Sequence, residues 1–328
     1  MPQRVRFTGL RQAEVESFEL PALGPDQVHV RVSHSLLSTG TEGIVYARLF
    51  DAGTHWDGWV EYPFFPGYAV VGRIVAVGAQ VRDRGVGQVV AVRRGHASDV
   101  VAPAAETYPV PDGVDVEQAT WFAMAKIASH GALRAAAGIG QSVAIVGAGP
   151  IGQMATRWLA AGGVETLIVV DPVAARLAMA RAGGATAVVA KPADQAKADV
   201  WAATPDGQGP DAVIEVTGHP AVFAPTLALP RRLGRVVLLG DTGRPAEQRL
   251  SYDVVIRGLT IVGAHDGHND DHWNNARAVR AFFALVAAGR FPLDGLVTHR
   301  FAGADAAKAY ALADTQRSQT MGIVLNWQ

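Results

Sequence analysis

The chain of 328 residues contains no cysteine. Without cysteine it can form no disulfide, no thiolate zinc site and no cysteine nucleophile. It also lacks any run of about 20 apolar residues, so the sequence predicts no membrane span. Neither sign of charge is in excess, because 29 Lys and Arg residues are balanced by 30 Asp and Glu residues. That balance argues against a nucleic-acid binder.

Apolar residues, in contrast, are abundant. Hydrophobic residues make up 49% of the chain and charged residues 18%, a composition that favours a large buried core over disorder. The first residues, MPQRVRFTGL, do not resemble a secretory signal. We therefore expect a cytoplasmic protein with neither a membrane nor a nucleic acid as its partner.

Two kinds of pattern divide the chain. The first hundred residues contain short β-type runs such as Val28–Val32, Ala69–Val77 and Gln88–Val92, separated by turn residues. From Trp121 onward, apolar strand runs alternate with Ala-rich helical segments, which predicts a doubly wound parallel α/β sheet. Its six candidate strands are Ser142–Val146, Thr166–Val170, Ala185–Val189, Ala212–Val216, Arg235–Leu239 and Leu259–Val262. After Gly267 we expect one helix, Trp273–Ala288, and a β-like tail.

The strongest motif follows the first of these strands. Gly147, Gly149 and Gly152 have the G-x-G-x-x-G spacing of a dinucleotide-binding turn, in which the glycines allow a tight turn, an approaching pyrophosphate and close helix packing. Pro150 and Ile151 would begin the helix, whose N-terminus attracts phosphate. The motif therefore predicts a bound nicotinamide dinucleotide.

Asp171 ends the next strand, about 20 residues beyond the glycines, where a carboxylate can accept hydrogen bonds from the adenosine ribose. It would repel a 2′-phosphate, which favours NAD over NADP. Arg176 could complicate this preference, although a helix-surface arginine is the simpler interpretation. A second interpretation of Asp171 is a helix N-cap before Pro172.

Two further segments place small or polar residues at the carboxyl ends of strands, where such sheets bind ligands. They are Thr217-Gly218 and the segment that begins at Gly240. We count all three residues as candidate cofactor contacts, with ordinary loop glycines as the alternative.

The whole chain resembles the medium-chain dehydrogenase/reductase superfamily. The supporting motifs are LLSTGTEG (36–43), FPGYAVVGRIVAVG (65–78), VPDGVD (110–115), AIVGAGPIG (144–152) and DAVIEVTG (211–218). The resemblance implies a GroES-like β-rich catalytic domain built from both chain ends, at residues 1–117 and 268–328, around a Rossmann NAD-binding domain at 118–267. It also implies a homodimer joined at the last strand of the nucleotide domain, Leu259–Val262.

The chain departs from the zinc-dependent members of that superfamily. Thr39 stands where they carry a ligand cysteine, Tyr68 where they carry a ligand histidine, and Ala123 or Met124 near their third ligand. A catalytic zinc needs three protein ligands, so we expect no zinc. The pattern resembles a zinc-independent branch, the one that contains bacteriochlorophyllide a dehydrogenase and its unassigned relatives.

Without zinc, a side chain must neutralise the oxygen that gains charge during hydride transfer. Lys126 is a solitary cation in an apolar helical segment, where desolvation would lower the pKa of a lysine and make it a usable acid. A lysine that extends to water is the alternative. Tyr68 could donate its phenol proton or only pack, and His130 could relay a proton or be an ordinary core histidine.

The resemblance assigns Thr41 to a cofactor contact and Glu42 to support of the local fold. His265 begins the segment HDGHNDDHW, of which His268 is the fourth residue, and we expect a cofactor or substrate contact from one of these two histidines. His268 and His272 would share a face if the segment were helical, which leaves a metal site as an alternative. Asn269 or Asp270 could instead cap the following helix.

The aromatic segment Asp51–Phe65 suits a bulky or ring-containing substrate, or simply packs a loop. The sequence thus predicts a zinc-independent, NAD(H)-preferring oxidoreductase that interconverts an alcohol and a carbonyl compound. An NADPH-type quinone or enone reductase is the alternative enzyme. A non-catalytic nucleotide-binding protein is the alternative of another class.

Overall fold

The computed structural model describes residues 1–328, which form 15 strands and 11 α-helices. The strands, in chain order, are β1 (Gln3–Gly9), β2 (Gln12–Ser17), β3 (Gln27–Leu36), β4 (Val70–Val77), β5 (Val89–Val92), β6 (Asp99–Pro103), β7 (Thr107–Pro109), β8 (Ser142–Val146), β9 (Thr166–Val170), β10 (Ala187–Val189), β11 (Ala212–Glu215), β12 (Arg235–Leu238), β13 (Thr260–Gly263), β14 (Val297–Ala302) and β15 (Gly322–Asn326). The helices are α1 (Thr41–Ala47), α2 (His55–Trp59), α3 (Val116–Ala119), α4 (Phe122–Ala135), α5 (Pro150–Ala161), α6 (Ala174–Ala182), α7 (Lys197–Ala202), α8 (Pro220–Leu227), α9 (Asp253–Ile256), α10 (Asn275–Ala287) and α11 (Ala306–Thr315). None of these helices has the length and apolar character that crossing a membrane requires.

A six-stranded parallel sheet is formed by the middle of the chain. Its strand order is β10-β9-β8-β11-β12-β13, which is the 3-2-1-4-5-6 order of a doubly wound dinucleotide-binding fold. The central strands β8 and β11 are buried along their whole length, as expected of a parallel sheet covered on both faces. The predicted α/β doubly wound sheet is therefore confirmed.

The two ends of the chain share a second, mainly antiparallel sheet. Its strand order is β14-β15-β3-β4-β5-β7, and β6 also pairs with β3. The last strand, β15, pairs with β3 so that Val324 lies opposite Leu36. This pairing explains why the tail of the sequence resembles its beginning. A separate hairpin is formed by β1 and β2.

The chain divides into two compact units. The first contains Met1–Ala123, Val279–Ala287 and Asp294–Gln328, and the second contains Met124–Ala278 and Ala288–Leu293. The first domain boundary was expected between residues 117 and 118 and lies six residues later. The second was expected between residues 267 and 268 and lies eleven residues later. Most of α4 belongs to the second unit because it packs on the parallel sheet: a side chain at Gly131 would collide with Leu239.

The segment before α10 differs from the prediction. The helix begins at Asn275 rather than Trp273, after Asn274, whose side-chain oxygen accepts a hydrogen bond from the Arg277 amide at 3.1 Å. The expected cap at Asn269 or Asp270 is therefore wrong. Asp270 instead accepts from the amides of His272 and Trp273, in a turn that lies before the helix.

Candidate active site

The glycine loop between β8 and α5 has the geometry of a phosphate cradle. Gly147 has φ +103°, and a Cβ there would lie 2.6 Å from a methyl group of Thr217. A Cβ on Gly152 would collide with the carbonyl oxygen of Gly147. Nothing lies within 4 Å of the corresponding point on Gly149, which precedes Pro150 at the N-terminus of α5. The fold itself thus requires glycine at 147 and 152, whereas the space at 149 is open to a ligand.

Asp171 connects the end of β9 to this loop. Its carboxylate is buried and accepts hydrogen bonds from the amides of Ala148 and Val173, each at 2.8 Å. The N-cap of α6 is Val173, so the interpretation of Asp171 as an N-cap is wrong. Arg176 places a guanidinium nitrogen 4.0 Å from the carboxylate and is only partly exposed, unlike the expected helix-surface arginine.

The ends of β11 and β12 meet beside the glycine loop. The fully buried Glu215 accepts hydrogen bonds from the Thr217 amide at 2.6 Å, the Thr217 hydroxyl and the Gly218 amide at 3.2 Å. Burial raises the pKa of Glu215, while these donors act to lower it. Gly240 packs against the main chain of Gly218. The predicted contacts Thr217, Gly218 and Gly240 are therefore brought together, and Glu215 is the group that shapes them.

Lys126 is enclosed within the second unit. Only 1% of it is exposed, so it does not extend to water. Its ammonium donates to the carboxylate and, at 2.6 Å, to the main-chain oxygen of Asp266, in the loop after β13. His130, one turn later on α4, is 4% exposed, and its Nε2 has no hydrogen-bond partner. Burial lowers the pKa of His130, and the charge of Lys126 lowers it further.

The histidines of the loop after β13 do not form a metal site. The loop is not helical, so His268 and His272 do not share a helix face. His265 and His268 are exposed, with their rings 5.8 Å apart, and Nδ1 of each accepts a main-chain amide of the loop. Nowhere does the structure bring together three His, Cys, Asp or Glu side chains able to hold a metal ion.

Tyr68 lies in the first unit beside two hydroxyl side chains. Its phenol donates to the Ser38 hydroxyl at 2.5 Å and also interacts with Thr41, the first residue of α1. Burial raises the pKa of Tyr68 to about 12. The guanidinium of Arg93 lies 5.3 Å from the centre of its ring. The phenol therefore keeps its proton throughout the physiological range.

A buried network near Tyr68 contains a histidine that the sequence analysis missed. Glu42 accepts from the Ser38 amide at 2.9 Å and from the Tyr310 hydroxyl, and it pairs with Nε2 of His96 at 3.0 Å. Nδ1 of His96 lies 2.8 Å from the Ser35 hydroxyl. No local pattern marks His96, because its partners come from distant parts of the chain. Glu42 therefore has a structural role, as we expected, but it connects distant parts of the chain rather than only its own turn.

The residues at the expected zinc positions do not fit that metal. Thr39, Tyr68 and Met124 offer a hydroxyl, a phenol and a thioether, whereas zinc in proteins prefers thiolate, imidazole and carboxylate. The Tyr68 oxygen is engaged with Ser38, and Met124 is buried. The glycine loop, in contrast, fits a dinucleotide.

The aromatic segment 51–65 is only partly packed. Trp56 is buried in the core of the first unit, while Trp59 and Phe65 are 51% and 42% exposed. Trp59 packs edge-on against Phe64, and Arg4 lies over the ring of Phe65. Packing therefore accounts for Trp56 but leaves two large rings with much of their surface exposed.

Comparisons with known proteins agree with this fold. Residues 150–283 match the family described as zinc-binding dehydrogenase, a stretch that excludes Thr39, Tyr68 and Met124. The L-threonine 3-dehydrogenase of Pectobacterium carotovorum is 28% identical over 94% of this chain and 93% of its own length.

Two solved structures share the architecture over 99% of both chains, each at 21% identity and with a TM-score of 0.82. One is described as a zinc-binding dehydrogenase from Sinorhizobium meliloti 1021 bound to NADP. The other is an alcohol dehydrogenase from Escherichia coli CFT073 in complex with NADH.

Proposed function

We propose that this chain is an oxidoreductase of the medium-chain dehydrogenase/reductase superfamily that interconverts an alcohol and a carbonyl compound with NAD(H) and without zinc. The match to the zinc-binding dehydrogenase family over residues 150–283 and the similarity to an L-threonine 3-dehydrogenase support the superfamily and the enzyme class. The zinc-independent branch, the resemblance to bacteriochlorophyllide a dehydrogenase and the preference for NAD stay predictions.

The observation that supports the proposal is the arrangement of the glycine loop around Asp171. The open space at Gly149 and the N-terminus of α5 would receive the pyrophosphate. The Asp171 carboxylate, held through the amides of Ala148 and Val173, retains lone pairs for the hydroxyls of a ribose. A negative charge at this point disfavours the 2′-phosphate of NADP.

The chemistry requires a proton as well as a hydride. When bound, the nicotinamide would supply or accept the hydride. Lys126 would hold at Nζ the proton that the substrate oxygen gains in reduction, because a buried ammonium is a strong electrostatic partner for a developing negative charge. Tyr68 stays protonated and is a second candidate donor. His130, which its low pKa keeps neutral, is suited to passing a proton onward.

An NADPH-type quinone or enone reductase is the second candidate. It is favoured by Arg176, whose guanidinium lies close to Asp171 and could pair with a 2′-phosphate. The negative charge of Asp171 disfavours the 2′-phosphate of NADP, whereas the positive charge of Arg176 favours it. The cofactor preference therefore depends on which of the two charges interacts more strongly with the ribose of the bound cofactor. The two exposed rings of segment 51–65 would suit a bulky substrate for either enzyme.

A homodimer is part of the proposal. Strand β13 ends the parallel sheet and pairs only with β12, which leaves an edge able to pair with a second copy. The same unit has large exposed apolar side chains at Leu233, Leu250, Tyr252, Val255 and Ile256. We count these side chains as candidate interface residues.

The experiment is a fluorescence titration of the metal-stripped protein with NADH and, separately, with NADPH. We expect tighter NADH binding, and we expect Asp171→Asn to lose that preference because the side chain keeps its size but loses its charge. Asp194→Asn, at an exposed position of the same unit, is the matched control. Tighter NADPH binding by the unaltered protein would favour the reductase. Binding of neither cofactor would contradict the enzyme proposal.

A further inference from the structure

We propose that Asp266 is a positioning residue that keeps the buried Lys126 ammonium charged and fixed in place. The inference rests on the proposed function of Lys126 as the proton donor. It gives the loop after β13 a role, which is to hold the ammonium of Lys126 through Asp266.

The geometry joins Asp266 to Lys126 twice. Both the carboxylate and the main-chain oxygen of Asp266 accept from Nζ, so the ammonium is bound to the loop through a side chain and through the backbone. A second connection between the same elements lies nearby, where the Trp273 indole donates to the Ser129 hydroxyl at 2.9 Å. The loop is thus fastened to α4 at Lys126 and again at Ser129.

The surroundings of Lys126 explain why a carboxylate is needed. Its neighbours Met124, Ala125 and Ala128 on α4 are almost completely buried, and burial in apolar surroundings favours the neutral amine. The charged or titratable groups near this part of α4 are Asp266, His130, His268 and Arg134. Of these, Asp266 carries the negative charge, and its carboxylate favours the charged form of Lys126.

The proton balance follows from this arrangement. During reduction the substrate carbon would gain a hydride from the reduced nicotinamide, which becomes oxidised, and the substrate oxygen would gain a proton from Nζ, so one N–H bond breaks and one O–H bond forms. The nitrogen keeps the electron pair and becomes a neutral amine, while Asp266 remains a carboxylate. Solvent returns a proton before the next turnover, and Asp266 favours that return.

The chain offers an unusually clear way to follow this group, because it has only four lysines: Lys126, Lys191, Lys197 and Lys308. Protein labelled with ¹³C-lysine would give at most four side-chain Cε signals, and Lys126→Met assigns the buried one. The three other lysines are exposed and act as internal controls for each pH titration.

The decisive comparison is between the unaltered chain and Asp266→Asn, which keeps an accepting oxygen but removes the charge. We expect the midpoint of the Lys126 titration to fall by roughly 1–3 pH units, with the three other lysines unchanged. Asp266→Glu should restore the midpoint. Asp271→Asn, at an exposed position of the same loop, should leave it unchanged. An unaltered midpoint in Asp266→Asn would overturn the proposal.

A second measurement covers the case in which Asp266→Asn does not fold. In the unaltered protein, an ammonium held by two hydrogen bonds should exchange its protons with water slowly enough to give a ¹H–¹⁵N signal. The absence of such a signal for Lys126 would overturn the proposal. The proposed function is tested separately, by measuring turnover in Lys126→Met. Full turnover in that variant would show that Lys126 is not the proton donor, while the NMR results on proteins that keep Lys126 would still show whether Asp266 holds its ammonium charged.

Discussion

Two buried glutamates, one in each unit, are satisfied in different ways. Glu215 receives all of its observed hydrogen bonds from Thr217 and Gly218, the residues that follow it. Glu42 receives one from nearby Ser38 but pairs with His96 and Tyr310, which lie 54 and 268 positions away. A carboxylate with local partners shapes one loop, whereas one with distant partners joins separate parts of the chain. Loss of Glu42 should therefore affect stability most, and loss of Glu215 should affect ligand binding most.

The largest expected effect tests the distant network. Glu42→Ala leaves the buried groups of His96 and Tyr310 without their acceptor, so the free energy of unfolding should fall by about 3 kcal/mol. Urea unfolding measures this, and Glu61→Ala, at an exposed position of the same unit, should change it by less than about 0.5 kcal/mol. NADH affinity should stay within about twofold, since the hydrogen-bond partners of Glu42 are Ser38, His96 and Tyr310 and none of them belongs to the glycine loop. If Glu42→Ala lowered the free energy of NADH binding as much as the free energy of unfolding, the contrast between the two glutamates would be wrong.

The intermediate effect tests the local network. Glu215→Ala frees the segment Thr217-Gly218, which packs against Gly147 and Gly240. NADH affinity should therefore fall about tenfold, or ~1.4 kcal/mol, in a fluorescence titration. Glu165→Ala, at an exposed position of the same unit, serves as the control. Unchanged affinity would show that this segment does not contact the cofactor.

The smallest effect concerns His130, a buried group whose Nε2 has no partner. Because burial and Lys126 lower its pKa, the unfolded chain takes up a proton near pH 6.5 before the folded chain does. Its contribution to stability is thus present above that pH and is lost as the pH falls below it. We expect His130→Gln to reduce the pH dependence of the unfolding free energy between pH 7 and 5, by at most ~1.4 kcal/mol per pH unit. His219→Gln, at an exposed position, should not change that slope.

The contrast between local and distant partners also explains which parts of the fold and of the candidate site could be predicted from the sequence. The parallel sheet was predicted closely because each buried strand is an apolar run bounded by turn residues, and four of its six strands begin at the predicted residue. The glycine loop was predictable for the same reason, since its requirements lie within a few residues. Glu215 could have been found as a carboxylate that ends a buried strand immediately before Thr217.

The remaining features of the site depend on distant residues. Nothing local indicates that His96 pairs with Glu42, or that Asp266 reaches Lys126 from a loop 140 positions later. The solitary charge of Lys126 in an apolar helical segment was the only local signal, and it did not indicate a carboxylate partner. The cap of α10 was misplaced because the loop contains several residues able to cap a helix, and the sequence pattern does not distinguish Asn274, which accepts from the Arg277 amide, from Asn269 or Asp270.

The pairing of β15 with β3 has a consequence for the synthesis of the protein. A ribosome completes β3 by residue 36, yet the strand that pairs with its last three residues, His34–Leu36, begins at residue 322, so this end of β3 waits for nearly the whole chain. The parallel sheet is finished by residue 263 and can fold while translation continues. An unpaired strand edge attracts other chains. Premature termination shortly before residue 322 should therefore produce a chain with a complete parallel sheet and an aggregation-prone first unit.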